Sequence, residues 1–333
     1  MSKKLINQPA NFVDEMLEGL LAAHPDQLAV AKGDSRVIVR KDAGTGNRVG
    51  IVTGGGSGHL PLFVGYVGRG LATAAAIGNV FSSHSSDAAL EAIRAADCGR
   101  GVLCLYGNYT GDRLNFELAC DLADAEGITT TTVLGHDDVA SAPPERAAER
   151  RGVAGLFFAY KCAGAAAEEG RDLAAVTAVA TKVADATRTM GVGLSPTIIP
   201  TAGKPTFELA EGEMEIGIGI HGEPGIRRGE LETADSVVEQ LFERVSAELD
   251  LGPGSRVAVL VNGMGATPLE ELYVMYRRVR QLCDERSVVV HRAYVGEYAT
   301  SLEMAGASLS LLKLDDELVS LLDAPAASPF FRQ

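Results

Sequence analysis

Short β-branched apolar runs alternate with segments of helical spacing along most of this chain. That alternation restricts the fold more than any other feature. Val49–Thr53, Gly101–Leu105 and Ile128–Val133 read as buried strands, and Ser85–Ala96 and Leu114–Ala125 carry helical spacing between them. Asp112 and Asn115 are candidate helix starts. Repeated β-then-α units with apolar strands call for a largely parallel sheet covered on both faces. Leu173–Thr189, rich in Ala and Val, closes this unit as a long helix. Beyond the turn-rich GVGLSPTIIPTAGKP, a second unit holds strand Met214–Ile220, helix Ser236–Asp250, strand Arg256–Val261, helix Leu269–Glu285, strand Val288–Arg292 and the strand SLSLLKL. The expected architecture is α/β with two domains, residues 1–189 and 190–333, each a mostly parallel or mixed sheet flanked by helices.

Charge narrows the partners. A net charge of -14 leaves no basic footprint for nucleic acid and opposes adsorption to an anionic membrane. No segment has the length and apolarity of a transmembrane helix, and the N-terminus lacks a signal-peptide core. The five cysteines (98, 104, 120, 162, 283) are odd in number and form no C-x-x-C pair. They read as small hydrophobes in a reducing compartment, with no metal site, and the expected location is cytoplasmic.

Three stretches follow strands and bear chemistry. GGGSGH, Gly54 to His59, lies where glycine-rich turns let backbone N–H groups reach a ligand. It fits neither the Walker pattern nor G-x-G-x-x-G, and a tight turn packed under a helix explains it as well. In MEIGIGIHGEPG, Met214, Ile216, Ile218 and Ile220 share one strand face, while Gly217, Gly219 and His221 share the other. Two glycines at that spacing point to a close backbone or ligand, with a core histidine as the alternative. In GNYTGD, Asp112 sits behind an apolar strand, where an N-cap role competes with a catalytic one. NGMGATP, from Asn262 to Pro268, reads as a structural turn, and His24 and His136 read as surface residues.

These stretches, with KKLINQP, VNGMGATPLEELY and GEYATSLEMAGASLSLLKLDDEL, resemble the ketose-binding K subunit of the dihydroxyacetone kinases over essentially the whole chain. The resemblance implies two α/β domains and a homodimer. It implies that His221 forms a hemiaminal with the ketone carbon of a short-chain ketose, that His59 moves a proton beside it, and that Asp112 is the base for the hydroxyl receiving phosphate. Gly55, Gly56, Ser57, Gly58, Ser83 and Gly107 would contact the substrate. ATP, or ADP with Mg, would sit on a separate nucleotide-binding L-type subunit, with a phosphotransferase-system protein as a possible phosphoryl donor. A triose offers little area to bury, so a reversible covalent anchor suits it. The chain departs from the family's pattern at Leu60, where Glu is common, and at Gly107, where Lys is common. Both changes open the pocket toward longer ketoses such as erythrulose. The alternative function is a non-enzymatic hydroxyketone sensor or coactivator on the same fold.

Overall fold

The chain folds into two six-stranded mixed sheets. The structure, a computed structural model, describes residues 3–333, so Met1 and Ser2 of the expected first domain lie outside the described residues. The first sheet contains β1 (Leu28–Val30), β2 (Val37–Arg40), β3 (Gly50–Ser57), β4 (Ala74–Val80), β5 (Val102–Gly107) and β6 (Thr130–Gly135). Their spatial order is β1-β2-β4-β3-β5-β6. β4, β3, β5 and β6 run parallel, and β1 and β2 add an antiparallel edge.

Successive residues of these strands face opposite cores, as the strand period requires. Ile51, Leu103 and Leu105 join a core with α1 (Phe12–Ala23), α4 (Leu156–Glu168) and α5 (Leu173–Asp185). Val52, Val102, Cys104 and Tyr106 pack instead under α2 (Ser86–Ala96) and α3 (Thr110–Ala125). Ser85 caps α2 by accepting from Ala88 N at 3.1 Å, and Asp172 caps α5 from Ala175 N at 2.9 Å. Sequence reading passed over α4, because it is apolar all round and shows no amphipathic period. Every residue from Leu156 to Ala167 is buried, including Lys161. The Lys161 Nζ donates to Leu321 O at 2.9 Å, and burial brings its pKa down to about 8.

The second sheet contains β7 (Thr187–Ser195), β8 (Glu213–Ile216), β9 (Arg227–Glu230), β10 (Arg256–Gly263), β11 (Val289–Gly296) and β12 (Ala305–Leu314). Its order is β11-β10-β12-β7-β8-β9, with β10–β11 the parallel pair. α6 (Ala234–Ser246) and α7 (Leu269–Glu285) cover one face. The chain changes sheets between Asp185 and Thr187. The last helix, α8 (Asp316–Asp323), returns to pack on α4, placing Leu318, Leu321 and Leu322 in the first sheet's core. No helix of the described residues is long and apolar enough to cross a membrane.

Candidate active site

The glycines of GGGSGH are not the turn expected from sequence. Gly54 to Ser57 complete β3, paired in parallel with β4 as Gly54↔Ala76, Gly55↔Ile77 and Gly56↔Gly78. Their missing side chains make room for groups from elsewhere. A Cβ on Gly54 would lie 2.7 Å from His84 Cδ2 and 2.9 Å from its Nε2; one on Gly56 would lie 2.7 Å from Ser82 N. A Cβ on Gly55 would enter the Phe63 ring. The Ser57 hydroxyl donates to Gly78 O at 3.0 Å, so it ties β3 to β4. Gly58 then leaves the strand with φ of 103°, a conformation glycine adopts without strain, and delivers His59 to the carboxyl end of the sheet.

The second stretch also differs from expectation. β8 ends at Ile216 rather than Ile220, because Gly217 takes φ of 81° and turns the chain. A tight loop follows, with Gly219 N donating to Glu223 O and Gly222 N to Gly219 O, both at 3.0 Å. Its tip carries His221 across to the first sheet, where the two imidazoles meet with Nε2 atoms 3.1 Å apart. His59 is buried and stacked on Phe81 at 4.9 Å, and the edge of His221 meets Phe81 and Tyr109.

Hydrogen bonds set the proton arrangement. Thr300 O can only accept, so His59 Nδ1–H donates to it at 2.8 Å. Burial, with the neighbouring His221, drives the His59 pKa down to about 3, and its Nε2 therefore presents a lone pair. His221 donates from its backbone N and its Nδ1 to the two oxygens of Glu223, each at 2.9 Å. The two Nε2 atoms thus face each other within hydrogen-bonding distance. Burial acts to raise the Glu223 carboxyl, but the His221 hydrogen bond and the charges of His221 and Arg151 outweigh it and hold the pKa at about 2. Arg151 NH1 lies 3.5 Å from Glu223 Oε2, while its NH2 reaches Asp138 Oδ2 at 2.8 Å. Gly219 is bare because a Cβ there would collide with this ion pair, 2.8 Å from Arg151 Cζ.

Asp112 occupies the first turn of α3, which begins at Thr110 rather than Leu114. The N-cap position belongs to Tyr109, and no side-chain cap is made there. Asp112 is buried, and burial lifts its pKa to about 6 against the opposing pull of the Ser83 hydroxyl and the His221 charge. Its Oδ1 has no hydrogen-bond partner and faces His84 Nε2 at 3.9 Å. Gly107 ends β5, where a Cβ would lie 3.1 Å from both Gly152 O and the Tyr109 ring. A side chain at position 107 therefore presses on the Tyr109 ring, which abuts His221.

His59 and His221 are brought into contact, with Asp112, Ser83 and Gly107 around them. Glu223, Arg151, Thr300, Phe81 and His84 were not assigned from sequence. Only Glu223 carried a local signal, as the carboxylate two residues after His221 in HGEPG. Asn262, in the stretch read as structural, accepts from Tyr298 N and Ala299 N at 2.8 Å and so holds the loop bearing Thr300. His24 and His136 are half-buried rather than on the surface, and His136 lies 3.4 Å from Asp185. Two clefts, of about 950 and about 830 Å³, lie along α5 and beside α6 and α7, away from these residues.

A family model described as the Dak1 domain matches residues 18–330. The dihydroxyacetone-binding subunit DhaK of PTS-dependent dihydroxyacetone kinase 2 from Listeria innocua is 46% identical over 330 residues, covering 99% of both chains. The L-erythrulose kinase of Pectobacterium atrosepticum is 45% identical over 99% of this chain, which spans 56% of that protein. Among solved structures, the dihydroxyacetone kinase operon co-activator Dha-DhaQ superposes with a TM-score of 0.88 at 34% identity, covering 95% of this chain and 97% of that one.

Proposed function

The chain belongs to the Dak1 domain family, and from that membership we propose that it is the ketose-binding catalytic subunit of a short-chain ketose kinase. The observation that carries this reading is the contact of His59 Nε2 with His221 Nε2 at 3.1 Å; in the proposed step one proton lies between the two nitrogens. When His59 Nε2 takes that proton, His221 Nε2 gains the lone pair a nucleophile needs. The lone pair attacks the ketone carbon as the carbonyl π pair moves to oxygen, and the proton passes from His59 to that oxygen. The His221 ring of the hemiaminal, bonded at Nε2 and still carrying Nδ1–H, is cationic and is balanced by the Glu223 carboxylate. Glu223 holds the Nδ1–H of His221 throughout.

The anchored sugar presents a hydroxyl to Asp112, whose carboxylate takes its proton as phosphate arrives. Phosphoryl transfer depends mainly on such positioning. The phosphoryl group comes from a nucleotide, ATP or ADP with Mg, on a partner L-type subunit. The PTS-dependent relative supports a phosphotransferase-system protein as the donor that recharges it. The chain works as a homodimer in the cytoplasm, consistent with five free cysteines. Gly107 offers the substrate no side chain, which supports a C4 ketose such as erythrulose over dihydroxyacetone.

The likeness to a co-activator favours a second reading, a hydroxyketone sensor without turnover. A sensor needs the anchor but not a buried base, and Asp112 is present and buried. The deciding experiment combines the purified chain with an L-type subunit and either ATP or phosphotransferase components, then follows ketose phosphorylation. The kinase reading expects turnover that Asp112→Asn abolishes while ketose binding survives. Ketose binding with no turnover under either donor would favour the sensor.

A further inference from the structure

Two buried polar atoms near the proposed reaction centre have no hydrogen-bond partner, and they face each other. His84 Nε2 and Asp112 Oδ1 are both sealed from solvent and unpartnered, 3.9 Å apart. The His84 ring is firmly placed. Its Nδ1 lies 3.0 Å from Ser85 O, which only accepts, so Nδ1 carries the hydrogen and Nε2 the lone pair. Phe116 packs edge-on at 4.5 Å, Asn115 Nδ2 donates to His84 O at 2.5 Å, and the absent Cβ of Gly54 leaves the ring its space. An imidazole lone pair thus confronts a carboxylate lone pair in a site without solvent. Such an arrangement is unfavourable unless a proton lies between the two acceptors.

We propose that Asp112 and His84 form a proton-sharing pair, in which His84 is a positioning residue whose Nε2 accepts the hydrogen bond of the Asp112 carboxyl once that carboxyl has taken a proton. In that step the substrate hydroxyl gives its proton to the Asp112 carboxylate, and that proton settles on Oδ1, hydrogen-bonded to the lone pair of His84 Nε2. The hydroxyl oxygen's electron pair forms the new O–P bond as the donor's O–P bond breaks. Burial raises the Asp112 carboxyl and lowers His84, and both directions favour the neutral pair with one proton between. The other titratable groups around Asp112 are His221, Tyr106 and Tyr160. The catalytic consequence rests on Asp112 being the base of the proposed reaction; the pairing itself belongs to this chain alone.

The test is NMR titration of the full chain carrying ¹³C-labelled aspartate carboxyls and ¹⁵N-labelled histidine, with Asp112 identified by its loss in Asp112→Asn. Asp112 is expected to titrate near 6. His84→Phe removes the acceptor, and His84→Gln can turn an N–H toward the carboxylate. Each should lower the Asp112 midpoint by about half a pH unit or more. His84 should show Nδ1–H and a bare Nε2 from about pH 6.5 to 8. An unchanged Asp112 midpoint in both variants, or a resting His84 protonated at Nε2, overturns the pairing. Because no partner, ketose or turnover is needed, this failure is separable from failure of the kinase reading, which would show as no ketose phosphorylation by the parent chain.

Discussion

Replacing Glu223 by Gln tests the geometry that holds the proposed nucleophile. Three donors converge on this carboxylate: the His221 backbone N–H and Nδ1–H, each at 2.9 Å, and the Arg151 guanidinium at 3.5 Å. A carboxylate accepts from all of them, whereas an amide must turn its own NH₂ group toward one. The depression of the Glu223 pKa from 4.5 to about 2 corresponds to ~3 kcal/mol at full strength. The side chain is 31% exposed, so solvent screening reduces this to ~1–2 kcal/mol. The folded-state value lies below the unfolded one, so the stabilisation is fully present above about pH 4.5 and is lost as pH falls toward 2. Urea denaturation at pH 7 should therefore show Glu223→Gln less stable by ~1–2 kcal/mol, with the gap to the parent closing below about pH 4. Losing a charge-assisted hydrogen bond to the nucleophile should also weaken ketose binding about tenfold, read by calorimetry. Parent-like stability at pH 7 together with parent-like ketose affinity would refute the reasoning.

Other expectations are more compact. Gly219→Ala drives a Cβ into the Arg151–Glu223 pair, so it should reproduce the ketose-binding loss of Glu223→Gln without touching either charge; unchanged affinity would show that the loop relaxes. With Asp112 as base and its pKa at about 6, kcat should fall about tenfold for each pH unit below 6, and a rate flat to pH 5 would remove Asp112 from that role. Gly107→Lys presses on the Tyr109 ring that contacts His221 and adds a charged side chain beside it. Side-by-side kinetics should show it losing turnover of erythrulose more than of dihydroxyacetone; an equal loss on both would detach position 107 from selectivity.

In the first sheet β3, β5 and β6 were legible because they are short, apolar and separated by helix-period segments, whereas β1, β2 and the alanine-rich β4 carry no such signal. The apolar helix α4 was not, because a helix buried on all sides shows no period. His59, Asp112 and His221 stood out since each ends a glycine-bearing stretch behind an apolar run. What organises them did not, because it arrives from far along the chain. Thr300 reaches His59 from 241 residues away, and His221 from 162. Gly54, Gly56 and Gly219 announced that something comes close, but nothing local in the chain names His84, the Ser82 backbone or the Arg151–Glu223 pair as what fills the space. The strand expected to run to Ile220 failed for a related reason. Apolar alternation continues through Ile218 and Ile220, which are buried, yet Gly217 has already turned the backbone out of the sheet.

The central claim is that His221 bonds covalently to the ketone carbon. The most direct measurement is ¹³C NMR of a ketose labelled at its carbonyl carbon, mixed with the purified chain. The account predicts a tetrahedral carbon signal, bound to protein, that is absent with His221→Ala and with a matched polyol. A ketose that binds with its carbon still in the ketone or free-hydrate form, or a tetrahedral signal that survives in His221→Ala, would contradict it.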